Sequence, residues 1–354
     1  MSDALDPERG IRRSAAIFVL TVLTIAVSPF LWRVPLAMWG PRSTDLKPSN
    51  LPALESARDR YPFDPAPIDE LRTAQPGTVI LGDSMALRIE PDVLARLTGR
   101  PAVPIIRLAT GASHWYLLLK NYVVASGIRP NRVVVFFRDT QLTDPLWRLI
   151  GKDRFSTDRY ALDREEELNA VVAAHVRNPW FRLHAWIDRT YAVERTRDWV
   201  EPALTASIAR AVARDQSHDD FVGAMNAMFG LDRLRAFEAA DMGEADEAST
   251  DFAARVTIST LPLMLDLARQ HGLQLVFVRV LRRPVNGQPP HEAPRLHRYV
   301  TALRSYVEQR GAMFLDDRDV TDLWRLAYDD GDHILDPERP RYTEIFFERI
   351  AGRR

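Results

Sequence analysis

The chain contains no cysteine, which excludes disulfide bonds, thiolate metal sites and a cysteine nucleophile. It also lacks an excess of charge of either sign, with 47 Lys and Arg against 48 Asp and Glu, so no global basic field predicts a nucleic acid partner. The absence of cysteine does not by itself identify a compartment. At 354 residues the chain is long enough to bury a full core, as one large domain or as one domain with an insertion.

One stretch near the N-terminus carries no charge over residues 14–32, about the length that a helix needs to cross a bilayer. Three arginines precede it between residues 9 and 13, and the positive-inside rule therefore leaves the N-terminus in the cytoplasm. A cleaved signal peptide is the alternative, but bulky residues and an arginine stand where a cleavage site needs small ones. We expect an uncleaved anchor over residues 14–39, with residues 1–13 in the cytoplasm. The remaining chain would then lie outside the inner membrane, on its periplasmic side.

The remaining chain divides into a proline-rich lead-in and an alternating domain. Frequent prolines over residues 40–77 predict an extended tether or a partly ordered lead-in. Over residues 78–354, apolar runs alternate with helix-like stretches, which predicts a flavodoxin-like, doubly wound α/β domain with a parallel sheet. Residues 146–260 would be a helical insertion or lid, because they show helical spacing and no convincing strand. The predicted strands are Val79–Leu81, Val103–Leu108, Arg132–Phe137, Leu273–Val280 and Ala312–Leu315, and the predicted helices are Pro91–Leu97, Ser113–Ala125, Phe252–His271, Pro294–Arg310 and Pro340–Ile350.

The first predicted strand leads directly into Gly82-Asp83-Ser84. An ordinary turn would explain these residues, because all three are common turn formers. The other interpretation is a serine nucleophile at the carboxyl edge of the sheet, with Asp83 hydrogen-bonding the turn behind it. Asp330 and His333 follow the last predicted strand, and loops that follow parallel strands open on the same edge. A serine nucleophile needs a base, and the imidazole needs a carboxylate, so this spacing predicts a Ser-His-Asp triad.

On these residues the sequence resembles the SGNH or GDSL-type hydrolases, which adopt a flavodoxin-like fold. The resemblance covers Thr78–Thr143 and Leu273–Ile350. The Gly-Asp-Ser of their first block is matched by residues 82–84, and the Asp-x-x-His of their fifth block by residues 330–333. Their second block supplies a glycine amide to the oxyanion hole, which implies that role for Gly111 beside the amide of Ser84.

The third block of that family does not match. It normally reads Gly-x-Asn-Asp, and its Asn donates to the oxyanion, whereas this chain has no Asn between Phe136 and Pro145. Arg138, Thr140 and Gln141 are therefore the candidate donors. Losing one such donor typically costs about 10²–10³-fold in rate, so the departure argues against an efficient general esterase more than against the fold.

Other residues near this edge have two interpretations each. Trp115 and Tyr116 would line a sugar or acyl site, or pack in the core. An arginine group after the fourth strand, Arg279, Arg282 and Arg283, would hold an anionic part of the substrate or form a solvated cluster. The aspartates of residues 329–332 could form a hard-cation loop, but the spacing of a calcium loop is missing. We expect no metal and no cofactor.

A Ser-His-Asp site implies acyl transfer to a hydroxyl through an acyl-serine. If the acceptor is water, the enzyme is an esterase, and if the acceptor is a sugar hydroxyl, it is an O-acyltransferase. An anchored, outward-facing domain with a diverged third block looks like the accessory proteins of envelope polysaccharide acylation, such as alginate acetylation proteins, which work beside a polytopic membrane-bound O-acyltransferase. We therefore expect an O-acyltransferase, moving acetyl to a cell-envelope glycan. A membrane-tethered esterase and a catalytically weak scaffold for the membrane-bound acyltransferase are the alternatives.

Overall fold

The structure is a computed structural model that describes residues 63–108, 110–144, 160–176, 250–329 and 332–352, together with four helical residues, Leu20, Thr21, Leu23 and Thr24. Most of the predicted anchor, the first part of the tether and most of the helical insertion lie outside the described residues. Within the described part of the chain, no helix combines the length and apolar character needed to cross a bilayer.

A parallel sheet forms the centre of the described domain. Its five strands are β1 (Thr78–Gly82), β2 (Ala102–Ile106), β3 (Arg132–Phe137), β4 (Leu275–Arg279) and β5 (Met313–Asp316). They lie in the order β2-β1-β3-β4-β5, and all four neighbouring pairs are parallel. This is one of the common orders of doubly wound sheets. The predicted α/β class with a parallel sheet is confirmed, as are the five predicted strands.

Helices cover both faces of this sheet. The described helices are α1 (Ala66–Ala74), α2 (Pro91–Thr98), α3 (Ala112–Leu118), α4 (Glu166–Val176), α5 (Phe252–Val256), α6 (Leu261–His271), α7 (Pro294–Glu308) and α8 (Arg339–Ala351). Successive strand side chains point to opposite faces, so β3 contributes Val133 and Val135 to one core and Val134 and Phe136 to the other. Helices α1, α3, α6 and α7 pack in the first core, and α2 and α8 pack in the second. Both faces are apolar, which is why the strand sequences lack alternation.

Part of the predicted tether is a helix. Residues 66–74 form α1, with Pro67 in its first turn and Ile68 and Leu71 buried against the core. A proline in the first turn removes no helical hydrogen bond, because that N–H would have no partner within the helix. Frequent prolines over residues 40–77 therefore did not exclude a helix at the end of the stretch.

The long helix predicted over Phe252–His271 is two helices. Residues 257–260 separate α5 from α6, and the hydroxyl of Ser259 accepts a hydrogen bond from the amide of Leu261. Pro262 then lies in the first turn of α6. Apolar spacing continues across the break, because both helices bury one face, and the sequence pattern therefore concealed it.

Candidate active site at the carboxyl edge of the sheet

Ser84 lies on a tight turn at the carboxyl end of β1. Gly82 has φ 156°, and a Cβ at this position would lie 2.9 Å from the Cβ of Ala86, so the turn requires glycine. A carboxylate oxygen of Asp83 accepts a hydrogen bond from the amide of Met85 at 2.9 Å and caps the short 3-10 helix Ser84–Arg88. Asp83 therefore has the structural role predicted for it. We call residues 82–88 the serine turn.

The structure brings Ser84 and His333 into direct contact. Nε2 of His333 lies 2.8 Å from Oγ of Ser84, although the two residues are 249 positions apart in the chain. This distance suits proton transfer from the hydroxyl to the imidazole. Both side chains are half-buried, so the pair remains open to a substrate.

His333 lies on a loop between β5 and α8 that folds back on itself. We call residues 327–329 and 332–335 the histidine loop. Tyr328 and Ile334 form an antiparallel bridge across it, and the amide of Asp329 donates to the carbonyl of His333 at 2.9 Å. Asp330, the predicted third member of the triad, lies outside the described residues. The pairing fixes the two sides of the loop and places the imidazole toward the serine turn.

Asp332, the residue before His333, joins the histidine loop to three other segments. Its carboxylate accepts hydrogen bonds from Nη1 of Arg138 and from the amide of Arg283, both at 3.1 Å. Its carbonyl oxygen accepts from Nη2 of Arg88 at 3.1 Å. Within the described residues, no group of three or more His, Asp or Glu side chains is placed to hold a metal ion.

A buried cluster of charges lies behind the serine turn. Its members, which we call the Asp317 cluster, are Arg88, Asp317, Tyr342 and Arg349. Asp317 has no exposed surface and accepts from Nη1 of Arg88 at 3.4 Å, from the hydroxyl of Tyr342 at 2.7 Å and from Nη1 of Arg349 at 2.7 Å. Burial and the charge of Asp317 raise the pKa of Tyr342 well above its usual value, so the phenol stays protonated and donates.

Arg88 connects this cluster with both halves of the site. Its Nε donates to the carbonyl of Met85, one residue after Ser84, at 2.9 Å. Another nitrogen donates to the carbonyl of Asp332, one residue before His333. Burial alone would lower the pKa of Arg88, but Tyr342 and Asp317 outweigh it and raise that pKa, so the guanidinium stays charged.

Gln141 ties the loop before Gly111 to the serine turn. Its amide nitrogen donates to Asp83 at 3.1 Å and to the carbonyl of Thr110 at 3.3 Å, and its amide oxygen accepts from the amide of Arg138. Both amide hydrogens are therefore engaged, which leaves none for an oxyanion. Gly111 is buried at the start of α3, one residue beyond Thr110. These contacts favour a role of Gln141 in positioning the turn over the predicted donor role.

The other two candidate donors of the third block are Arg138 and Thr140. Arg138 is paired with Asp332, as described above. Thr140 begins the short 3-10 helix Gln141–Thr143, and its carbonyl oxygen accepts from the hydroxyl groups of Thr143 and Tyr299, at 3.3 Å and 3.4 Å. These contacts hold the segment that follows β3 against α7.

The aromatic residues near Gly111 belong to the core. Trp115 is fully buried, and its indole N–H donates to the hydroxyl of Thr110 at 3.3 Å. Tyr116 is 3% exposed, and its hydroxyl donates to Glu167 of α4. Neither ring has a surface that a substrate could cover. Of the two interpretations of this pair, the structure supports core packing.

The arginines after the fourth strand form a second buried cluster, the Arg279 cluster, whose members are Asp139, Arg279, Arg282, Glu292 and Asp316. Arg279 pairs in register with Asp316 on the neighbouring strand, and its guanidinium donates to Asp316 at 3.0 Å, to Asp139 at 2.9 Å and to Glu292. Nε of Arg282 donates to Asp139 at 2.8 Å. Both guanidinium groups are engaged by these carboxylates, which does not favour Arg279 or Arg282 as an anion-binding residue for a substrate. Arg283 donates through its amide to Asp332 and through its side chain to the carbonyl of Asp329.

A small cavity of about 150 Å³ opens beside Ser84 and His333. Met85, Leu87 and Ile334 give it an apolar part, and its charged lining residues are Arg88, Asp329, Asp336 and Arg339. A larger depression of about 680 Å³ follows residues 289–298 and Arg318, and neither Ser84 nor His333 lines it. Size alone would have favoured the larger depression, but Ser84 and His333 line the smaller cavity.

No sequence motif indicated a role for Arg88, and the spacing of Asp332 indicated only a candidate cation loop. The sequence does contain a signal that Arg88 is buried and paired, because Arg88 is a charged residue within the apolar run Met85–Ile89. A charge in such a position is buried only when it is paired, and that pattern predicts a partner without naming it.

No family model matches the chain, and no curated protein matches it at a significant level. The function must therefore be argued from the geometry of the carboxyl edge and from the chain's own sequence.

Proposed function

We propose that the protein is a serine-dependent acyl-transfer enzyme with Ser84 as nucleophile and His333 as base. The observation that carries the proposal is the 2.8 Å contact between Oγ of Ser84 and Nε2 of His333 at the carboxyl edge of the sheet. The imidazole takes the proton of Ser84 as Oγ bonds to the acyl carbon, and gives it to the leaving oxygen. In the second half, the imidazole takes the proton of the acceptor hydroxyl as the acceptor oxygen bonds to the acyl carbon, and it returns that proton to Oγ of Ser84 as the bond between Oγ and the acyl carbon breaks.

The remaining groups of the site have roles in the same proposal. Asp330 is assigned from its spacing as the carboxylate that orients the imidazole and supports its positive charge. The amides of Ser84 and Gly111 are proposed to stabilise the oxyanion, because one is in the serine turn and the other begins the helix beside it. Together with the strand order, these placements support a flavodoxin-like domain of the SGNH type.

We propose an O-acyltransferase that works outside the inner membrane and moves a short acyl group to a hydroxyl of a cell-envelope glycan. Acetyl is the leading candidate for this acyl group. The size of the cavity beside Ser84 favours a short acyl group. The location rests on the uncharged stretch over residues 14–32 and the arginines before it. A polytopic membrane-bound O-acyltransferase is the proposed donor partner, on the resemblance described above.

The test uses the full chain in detergent with a chromogenic acetyl ester, with and without an oligosaccharide acceptor. Ser84→Ala should lower the rate of transfer by about 10³-fold or more, because the acyl-serine cannot form. Ser305→Ala is the matched control, since Ser305 is an exposed residue of α7, and it should leave the rate unchanged.

Three results are distinguishable. Acetylation of the oligosaccharide that is lost in Ser84→Ala supports the transferase. Hydrolysis that depends on Ser84 but not on the acceptor identifies an esterase. The absence of any Ser84-dependent chemistry contradicts the proposal and leaves a scaffold role.

A further inference from the structure

Arg138 is the first residue after β3, in the segment where the resemblance placed an oxyanion donor. Its guanidinium is directed to the histidine loop, with Nη1 3.1 Å from a carboxylate oxygen of Asp332. The side chain of Arg138 is 26% exposed and that of Asp332 is 10% exposed. A partly desolvated pair of this kind is held more firmly than a surface ion pair, which is typically worth little.

Asp332 receives these contacts next to the imidazole in the chain. Arg283 donates its amide to the other carboxylate oxygen, and Arg88 donates to the carbonyl oxygen. The three donors come from the segments that follow β3 and β4 and from the serine turn. Any shift of Asp332 therefore displaces His333 relative to Ser84.

We propose that Arg138 is a positioning residue that acts through Asp332 to hold the imidazole of His333 at Ser84. The inference rests on the proposed function, and it gives Arg138 a role other than oxyanion donation. A misplacement of about 1 Å at a reacting group can cost about 10²-fold in rate. The ion pair is suited to prevent such a misplacement, because it fixes the residue adjacent to the base.

We expect that Arg138 can be replaced without unfolding the domain. It is partly exposed, whereas Arg88 is 3% exposed and compensates the buried Asp317. The contacts from Arg88 and Arg283 remain when Arg138 is removed. The histidine loop should then stay folded but sample more than one position, which affects turnover rather than substrate binding.

A double-mutant cycle in the full-length protein separates the two roles of Arg138. Arg138→Gln and Asp332→Asn should each lower kcat by roughly tenfold with KM unchanged, and the double variant should be no slower than the slower single variant. Asn keeps an oxygen for the amide of Arg283, so the second change removes chiefly the ion pair. Arg138→Lys should restore part of the rate, because it keeps the charge.

An oxyanion donor gives a different result in the same cycle. Arg138→Gln would then cost as much in the Asp332→Asn background as in the wild type, and the two effects would multiply. That result overturns the positioning role, as does a rise in KM with kcat unchanged.

Hydrogen exchange of the amides of the histidine loop reports on the same variants without any turnover. Exchange should become faster in Arg138→Gln and in Asp332→Asn, and stay unchanged in Arg269→Gln, an exposed arginine of α6. If the wild type shows Ser84-dependent activity but exchange is unchanged in both variants, only the positioning role of Arg138 is overturned. A wild-type protein without Ser84 chemistry overturns the proposed function and the positioning role together.

Discussion

Two clusters of buried arginines and carboxylates lie at the carboxyl edge of the sheet, and they differ in what they connect. The Arg279 cluster joins the ends of β4 and β5 to Asp139 and Glu292, through contacts between side chains. The Asp317 cluster reaches the backbone next to both Ser84 and His333, because Arg88 donates to the carbonyls of Met85 and Asp332.

The two central arginines are buried to the same degree, with Arg88 3% exposed and Arg279 2% exposed. Buried, paired charges therefore do not by themselves mark a functional site. The partners distinguish them, since one guanidinium holds the segments that carry Ser84 and His333 and the other holds strand ends. We expect the Arg279 cluster to act on stability, and the Asp317 cluster to act on stability and turnover.

The largest expected effect is on the Arg279 cluster. Arg279→Met should lower the free energy of unfolding by about 3–5 kcal/mol, because it leaves buried carboxylates without their cation. Urea denaturation measures this loss, and kcat of the folded fraction should change by less than about threefold. Arg269→Ala, which breaks an exposed pair with Asp266, should cost at most about 0.5 kcal/mol. A loss below about 1 kcal/mol for Arg279→Met would contradict the account of this cluster.

Arg88→Lys should have a smaller effect on stability and a larger one on turnover. Lysine keeps the charge beside Asp317 but cannot reach Met85, Asp332 and Asp317 in the same geometry. The expected cost is about 1.5–3 kcal/mol in unfolding free energy. Steady-state kinetics should show a fall of roughly tenfold in kcat. Stability loss with unchanged kcat would mean that the two clusters do not differ in function.

The smallest expected effect is a difference in how two carboxylates of the Arg279 cluster, Asp139 and Asp316, make the stability depend on pH. Burial opposes ionisation of Asp139, but Arg282 and Arg279 outweigh it and lower its pKa below the ordinary 3.8. Its ionised form therefore stabilises the fold above that pH, and this contribution is lost as the pH falls through the lowered pKa. Asp139→Asn should cost about 1–2 kcal/mol at pH 7, and the difference from wild type should shrink below pH 3.8.

Asp316 supplies the matched comparison. Burial raises its pKa above 3.8 and outweighs the opposing charge of Arg279. The wild type should therefore lose stability relative to Asp316→Asn as the pH rises from 3.8 through that raised pKa. Unfolding curves at several pH values give the stability difference between the wild type and each variant as a function of pH. The two differences should change with pH in opposite directions, and a change in the same direction would contradict the opposite pKa shifts of Asp139 and Asp316.

Much of the fold could be predicted from the sequence, because its five strands are short apolar runs bounded by turns. Parallel topology predicted that Ser84 and His333 could meet at one edge, since both come after strands of one sheet, and the spacing of the triad residues predicted that they pair. The helix over residues 66–74 was missed, because proline in a first turn looks like proline in a tether. The break before α6 was missed, because the apolar spacing continues through it.

The roles of the arginines could not be predicted for a physical reason. Arg138, Arg279 and Arg282 all stand at or after strand ends, where a cation can face solvent, a substrate or a buried carboxylate. The carboxylates that pair with them come from distant segments, such as Asp332 for Arg138 and Asp316 for Arg279. Only the folded arrangement shows which partner each one has.

The most direct test of the central claim is the rate at which a fluorophosphonate modifies Ser84, with the modified peptide identified by mass spectrometry. If His333 activates the hydroxyl, the wild type is modified at Ser84, and His333→Ala reacts at least about 10²-fold more slowly while remaining folded. Equal rates in the two proteins, or modification at another serine, would contradict the claim.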